Sequence, residues 1–151
     1  MSFDGDYEPS TWGWVREQVE LYESTNGAEG NTLRDTGLPI IIITTVGHKS
    51  GKVRKVPLMR VEHDGEYAII GSKGGAPEHP GWVHNLNADP KILLQDGPEP
   101  YETTVRIVEG DERATWYQRG IDAFPPYAEY AEKAAAAERE IPVFVSARRA
   151  D

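Results

Sequence analysis

The chain has 151 residues, the usual size of one domain, and no cysteine, so a disulfide framework and a thiolate metal site are excluded. Its net charge of −9 argues against general nucleic-acid binding, which needs a basic field. No apolar run approaches the ~20 residues needed to cross a membrane, and the acidic Met1–Tyr7 segment lacks a basic-then-apolar secretion signal, so a cytoplasmic protein is expected.

Residues 10–26 read as a helix capped by Ser10, with Trp12, Val15, Val19 and Tyr22 on one face, ended by Asn26-Gly27. A Gly/Asn-rich stretch runs to Pro39. Ile40–Val46 is β-branched and apolar without alternation, which predicts a strand buried on both faces. Val53–His63 reads as the return strand, and Pro57 within it signals a bulge or an edge. Asp64-Gly65 is a two-residue hairpin signal, with Tyr67–Ser72 as the third strand.

Glycines and prolines make Lys73–Gly81 a loop, and a short helix over Trp82–Asn87 stops at Asp89-Pro90. Lys91–Gln95 and Tyr101–Val108 are strands around Asp96-Gly97-Pro98. Asp111 caps a helix to about Phe124, Tyr127–Glu138 is another, and Ile141–Ser146 is a last strand. Consecutive strands with hairpin links favour an antiparallel arrangement over βαβ units. The expected α+β architecture is a mostly antiparallel barrel of about six strands, with an N-terminal helix and helices packed outside; 1–151 is taken as one domain, with the barrel at about 38–146.

Lys49, Lys52, Arg54 and Lys55 put four of the 16 positive charges into seven residues. A cation cluster on an acidic protein suits a small anion better than a polyanion. The turn Gly47-His48-Lys49-Ser50-Gly51-Lys52 resembles a phosphate-binding loop, but only three residues separate its glycines, Val53 follows Lys52, and a strand follows where a helix is needed. A nucleoside-triphosphate site is therefore rejected. The turn still exposes backbone N–H groups beside Lys and Arg, the makings of an anion nest. Taken alone, it reads first as a solvated hairpin whose lysines protect a sheet edge.

Gly71-Ser72-Lys73-Gly74-Gly75 fails the dinucleotide fingerprint. Small residues at a strand end can let a planar ring approach the backbone, with Ser72 and Lys73 beside it; the plain reading is a flexible loop. Trp82 and Asn85 lie about one helical turn apart and can face one cavity, or Trp82 can simply anchor a surface turn. His79 and His84 are five apart, a poor metal pair, and no metal is expected. Phe124, Tyr127 and Tyr130 repeat every three residues, a stripe that reads first as core, although a buried tyrosine hydroxyl needs a partner and can line a pocket. No nucleophile elbow or paired-carboxylate arrangement is present. Binding groups without acid–base machinery suit an enzyme whose cofactor does the hard step.

Taken together, Thr44 to Leu58, Ser72-Lys73-Gly74-Gly75, and the His79-Pro80-x-Trp82-x-x-Asn85-Leu86-x-Ala88-x-Pro90 pattern resemble the deazaflavin-dependent nitroreductase family. The likeness runs from about Leu38 to Val145. It implies a split β-barrel reductase of actinobacterial type that uses the reduced deazaflavin coenzyme F-420. By the same resemblance Lys49, Ser50 and Arg54 hold the coenzyme's phosphate and glutamyl tail, with Pro57 in the same motif. Ser72, Lys73, Gly74 and Gly75 sit against the ring, and Trp82 and Asn85 complete that wall. Tyr127 and Tyr130 match tyrosines placed over the substrate, whereas Phe124 lacks the hydroxyl. His48 stands where arginine is frequent, and Met59 where tyrosine can occur.

The resemblance thus implies hydride transfer to a quinone-like, enone or nitroaromatic small molecule, with Tyr127 or Tyr130 orienting the acceptor and helping to supply a proton. FMN is the less favoured cofactor, because Lys49, Arg54 and Lys73 are spread more widely than one phosphate requires. A coenzyme carrier without turnover is the other alternative. A monomer or weak homodimer is expected. Quinone access would invite a peripheral membrane contact through Trp12, Trp14 and Leu21, against which Glu17, Glu20 and Glu23 on the same helix argue.

Overall fold

The isoleucine run anchors the fold. In the computed structural model, which describes residues 3–33 and 36–148, β1 (Ile40–Val46) is buried at every position. Met1, Ser2, Arg34, Asp35 and the last three residues lie outside the described residues, with the parts of the leader and domain expectations that fall on them. Ile40 and Ile42 join an apolar cluster with residues of all three longer helices, while Ile41 and Ile43 join a second cluster with Trp82, Val83 and Leu86. Period-two alternation therefore feeds two cores from one strand, and each fully buried isoleucine stabilises by about 1.5–3 kcal/mol.

The other elements follow in order: α1 (Gly13–Ser24) before β1, then β2 (Val53–Met59), β3 (Glu62–His63), β4 (Glu66–Ile70), a 3-10 turn at Lys73–Gly75, α2 (Gly81–Ala88), β5 (Lys91–Gln95), β6 (Pro100–Ile107), α3 (Gly110–Ala123), α4 (Pro126–Ala136) and β7 (Val143–Ser146). The sheet order is β2-β1-β5-β6-β7-β4-β3, and these strands pair antiparallel throughout. The Asp64-Gly65 hairpin forms as expected, with φ of 52° and 83° at its two central residues.

The strand count is seven rather than about six, because the expected Val53–His63 strand divides. Its halves, β2 and β3, lie at opposite ends of the sheet with only Arg60 and Val61 between them. Arg60 N–H still donates to Pro39 O on the β1 side (3.0 Å), whereas Val61 O already accepts from Ala68 N–H on the β4 side (2.9 Å). The sheet must curl until its edges meet at this crossing, and that closure makes it a split barrel. Asp96, from the β5–β6 turn, holds the crossing by accepting from Arg60 Nε (2.8 Å) and the Tyr67 hydroxyl.

Pro57 lies on the outermost strand, opposite Ile42, where a missing N–H is tolerated. Two cap expectations need correction. Ser10 Oγ accepts from Trp12 N–H (3.1 Å), a turn ahead of α1, whose N-cap is Trp12 itself. Asp111 lies inside the first turn of α3, behind an N-cap at Glu109. Trp12 also leaves the expected apolar face: Val15, Val19 and Tyr22 are buried, and Trp12 is 60% exposed. No helix among the described residues is long and apolar enough to cross a membrane.

Candidate functional site

One cleft of about 900 Å³ runs between the β1–β2 hairpin, the Ser72 loop, the start of α2 and the start of α4. It is lined by Lys49, Ser50, Arg54, Pro57, Ser72, Lys73, Gly74, Trp82, Asn85, Tyr127 and Tyr130, so eleven of the twelve residues singled out in the sequence converge there. Gly75 is the exception. At φ +80°, it lies beneath α4, where an added Cβ would come within 2.7 Å of Tyr130 O and 2.8 Å of Lys133 Cβ. Its lack of a side chain lets α4 approach the loop. Gly74, at φ +64°, has nothing within 4 Å of an added Cβ, so open space lies above its backbone.

The anion-attracting end is built on a hairpin. Gly47 N–H donates to Lys52 O (2.7 Å), and Gly51 N–H to Gly47 O (2.9 Å), closing a turn that presents Lys49 and Ser50 outward. Asn85 locks this turn from α2: its Nδ2 donates to Thr45 Oγ1 (3.0 Å), and its Oδ1 accepts from His48 N–H (3.0 Å) and lies 2.8 Å from His48 Nδ1. With Oδ1 fixed as an acceptor, His48 Nδ1 carries the hydrogen that points to it. Asn85 is buried, so it acts on the site through the turn as well as by lining it.

Several cations of this end already face carboxylates. Arg54 Nη1 lies 3.2 Å from Glu8 Oε2, Lys55 pairs with Glu23 of α1, and Lys73 Nζ donates to Glu78 Oε1 (3.0 Å). The hydrogen bond and charge of Lys73 hold the Glu78 carboxyl below its ordinary value. Glu8 sits there because the N-terminal segment adds to the edge of β2: Glu8 N–H donates to Val53 O (2.9 Å) and Val53 N–H to Asp6 O (2.8 Å). The segment continues as Ser10, Thr11, Trp12 and Trp14 along the same cleft. Sequence reasoning missed this wall; the one available signal was an acidic stretch complementary to the 49–55 cluster.

The opposite end is aromatic. Tyr127 is 4% exposed and packs edge-on against Phe124 (5.0 Å between centroids) and Tyr130 (6.1 Å). The stripe is therefore core and cleft wall at once. Burial, then the neighbouring Tyr117 and Tyr130, pushes the Tyr127 phenol well above its ordinary value, so it remains a neutral donor at any working pH. The Tyr117 hydroxyl donates to Tyr127 O (2.6 Å), fixing the first turn of α4, and burial raises its own pKa to about 12. Trp82 is largely buried and meets Phe144 edge-on at 6.3 Å, which fixes the start of α2 beside the cleft. Met59 and Phe124 also line it, supplying apolar contact without hydroxyls.

A split barrel holding a cleft with a cationic turn at one end, an open glycine backbone and an aromatic wall defines a flavin-type coenzyme-binding protein. A sequence model described as F420H(2)-dependent quinone reductase matches residues 14–148, and the chain belongs to that family. The family's coenzyme is F-420 in its reduced form. An F420H(2)-dependent quinone reductase of Mycobacterium tuberculosis is 31% identical over 138 residues, covering 89% of this chain and 90% of its own length. Among solved structures, an F420-H2 dependent reductase is 49% identical, covering 72% of this chain and 94% of its own, with a TM-score of 0.66. A second solved structure, described only as a domain-swapped dimer, is 46% identical over 89% of this chain and 97% of its own, with a TM-score of 0.69. The resemblance to the deazaflavin-dependent nitroreductases is borne out for the split-barrel fold and the F-420 coenzyme, and the matching family is described by quinone reduction.

Proposed function

We propose that the chain transfers a hydride from reduced F-420 to a small quinone-like acceptor held in this cleft, with enones and nitroaromatics as further candidates. The observation that carries the reading is the meeting of the cationic turn, the Ser72 loop and the α4 tyrosines in one cavity. Its volume falls within the range of small-molecule sites, roughly 300–1,000 Å³. When bound, the reduced deazaflavin supplies the hydride from its central ring carbon.

The remaining work belongs to the chain. Lys49, Ser50 and Arg54 hold the phosphate and acidic tail by charge and hydrogen bonding. Pro57, Ser72, Lys73 and the open Gly74 backbone receive the ring, while Trp82 and Asn85 fix the wall beside it. Tyr127 donates a hydrogen bond to the acceptor oxygen and orients it, since positioning at near-attack distance is the main contribution available. A phenol with so raised a pKa is a poor acid, so the proton for the new oxyanion reaches it through water beside the half-buried Tyr130. FMN remains the rival cofactor; its single phosphate leaves part of the Lys49, Arg54 and Lys73 spread unused. A monomer or weak homodimer is proposed, and the domain-swapped relative makes exchange of segments between copies the form to look for.

The test titrates the purified protein with F-420 and, separately, FMN, then follows oxidation of the reduced coenzyme by menadione. Binding of F-420 with turnover, and loss of turnover in Tyr127→Phe or Tyr130→Phe, is expected. Tight FMN binding without F-420 binding overturns the coenzyme assignment. F-420 binding without turnover indicates a carrier, and unchanged turnover in both variants removes the tyrosines from the mechanism.

A further inference from the structure

The Ser72–Gly75 loop lines the cleft in a backbone conformation that a side chain rarely adopts. Lys73, Gly74 and Gly75 all have positive φ, at 47°, 64° and 80°, and a lysine in that region is strained. Within the loop, Gly75 N–H donates to Ser72 O (2.9 Å) and Ala76 N–H to Lys73 O (3.1 Å). A further support comes from Arg139, a residue far away in sequence. The chain leaves α4 through Glu138 at φ 60°, and Arg139 N–H donates to Ala134 O (2.8 Å), which pins its backbone to the helix end. Its guanidinium then reaches back: Nη1 donates to Gly71 O (3.1 Å), and Nη2 donates to Ser72 O.

Nη1 also lies 2.6 Å from His79 Nδ1. A guanidinium has only donors and stays charged, so Nδ1 must be the acceptor and the ring is neutral with its hydrogen on Nε2. The groups facing His79 agree with that state. Burial, the charge of Arg139 and the neighbouring His84 of α2 lower its pKa, and Glu78, from its own loop, is engaged by Lys73. Tyr117 of α3 faces Arg139 from the other side.

We propose that Arg139 is a positioning residue: from the end of α4 it grips the Gly71 and Ser72 carbonyls, with neutral His79 completing the grip. It thereby sets the gap between the Ser72–Gly74 wall and the Tyr127–Tyr130 wall. The two walls belong to elements distant in sequence, and this clamp joins them beside the Gly75 contact with α4. Donor and acceptor must be stacked in that gap, so the clamp acts on the chemical step more than on the capture of the tail. Protonating His79 places an N–H against a permanent cation, and the grip opens as pH falls. The inference rests on the coenzyme reading above.

The experiment compares wild type with Arg139→Met, Arg139→Lys and His79→Asn. Binding of oxidised F-420 is followed by fluorescence, menadione turnover across pH, and His79 ring nitrogens by NMR without coenzyme. In Arg139→Met, kcat is expected to fall about 10- to 100-fold, the scale on which small misplacement acts. Its F-420 affinity stays within about threefold, because the tail contacts are separate and distant effects add. Arg139→Lys, which can still reach one carbonyl, recovers part of kcat. The NMR titration of His79 returns upward in Arg139→Met, and His79→Asn, an acceptor that does not titrate, flattens the acid side of kcat.

Unchanged kcat in Arg139→Met, or loss of affinity and kcat in the same proportion, overturns the clamp. If Arg139→Met does not fold, Arg139→Lys and His79→Asn decide it: wild-type kcat and pH profile in both overturn it. A wild type that fails to bind F-420 instead sinks the coenzyme reading itself.

Discussion

The two ends of the cleft are built on opposite principles. At the cationic end, Lys49, Ser50 and Arg54 project from a hairpin at the edge of the sheet, and these side chains contribute little to the core. At the aromatic end, Phe124 and Tyr127 belong to the main apolar cluster and Tyr130 packs against it. The charge of the cationic end can therefore change by surface substitution with the fold unaffected. The aromatic wall of the cleft cannot be altered so freely, because it is also core. Replacing tyrosine by phenylalanine at such a position removes a hydroxyl while keeping the packing.

Tyr127 should show the contrast most strongly. Truncation to alanine removes a buried ring from between Phe124, Tyr117 and Tyr130. It should destabilise by about 3–5 kcal/mol, the range for large aromatic deletions. Phenylalanine keeps the ring and should lie within about 1.5 kcal/mol of wild type while lowering menadione turnover. Urea denaturation of both variants beside their kinetics checks this. Equal stability of the alanine and phenylalanine variants would show that the aromatic end is not core.

Asn85 ties α2 to the cationic end, and its loss should be smaller and mixed in character. Alanine leaves His48 N–H and the Thr45 hydroxyl without their shared partner, which costs about 1–3 kcal/mol for buried polar groups. Loosening the 47–52 turn should also weaken F-420 binding without abolishing it. A stability loss with unchanged affinity would mean that the turn holds its shape without α2. Measurement needs one denaturation curve and one coenzyme titration.

The same contrast explains what was legible in the sequence. β1, the Asp64-Gly65 hairpin and the cationic turn were readable because local composition decides them: a β-branched run, a left-handed pair, a cluster of like charges. The split of Val53–His63 was not, because the change of pairing partner between Arg60 and Val61 is dictated by closure of the sheet. Gly75 was assigned to the cleft beside Gly74, and nothing local distinguishes a glycine kept for α4 from one kept open above. Arg139 carried no motif, since its partners, Gly71, Ser72 and His79, lie 60 to 68 positions away. The cleft wall of Trp12 and Trp14 follows from an edge pairing by Asp6 and Glu8 that no periodicity announces.

The smallest predicted effect has the opposite sign to the others. Glu8 places a carboxylate on Arg54, where an acidic coenzyme tail would also bind, and both side chains are about two-fifths exposed (40% and 44%). The tail must displace that carboxylate or tolerate its repulsion, so Glu8→Gln should tighten F-420 binding. Exposed ion pairs are worth about 0.2–1 kcal/mol, which corresponds to a gain of roughly 1.5- to 5-fold. The gain should shrink as salt is raised, because screening at 0.15 M already reaches about 8 Å. It should also disappear in an Arg54→Ala background, where Glu8 has no cation to occupy. Lys49→Ala provides the control: Lys49 has no carboxylate partner among the described residues, so its loss should weaken binding whether position 8 is Glu or Gln. Weaker binding in Glu8→Gln would mean that the carboxylate holds Arg54 in its binding position rather than competing for it. The pairing of the N-terminal segment with β2 would then be part of the site.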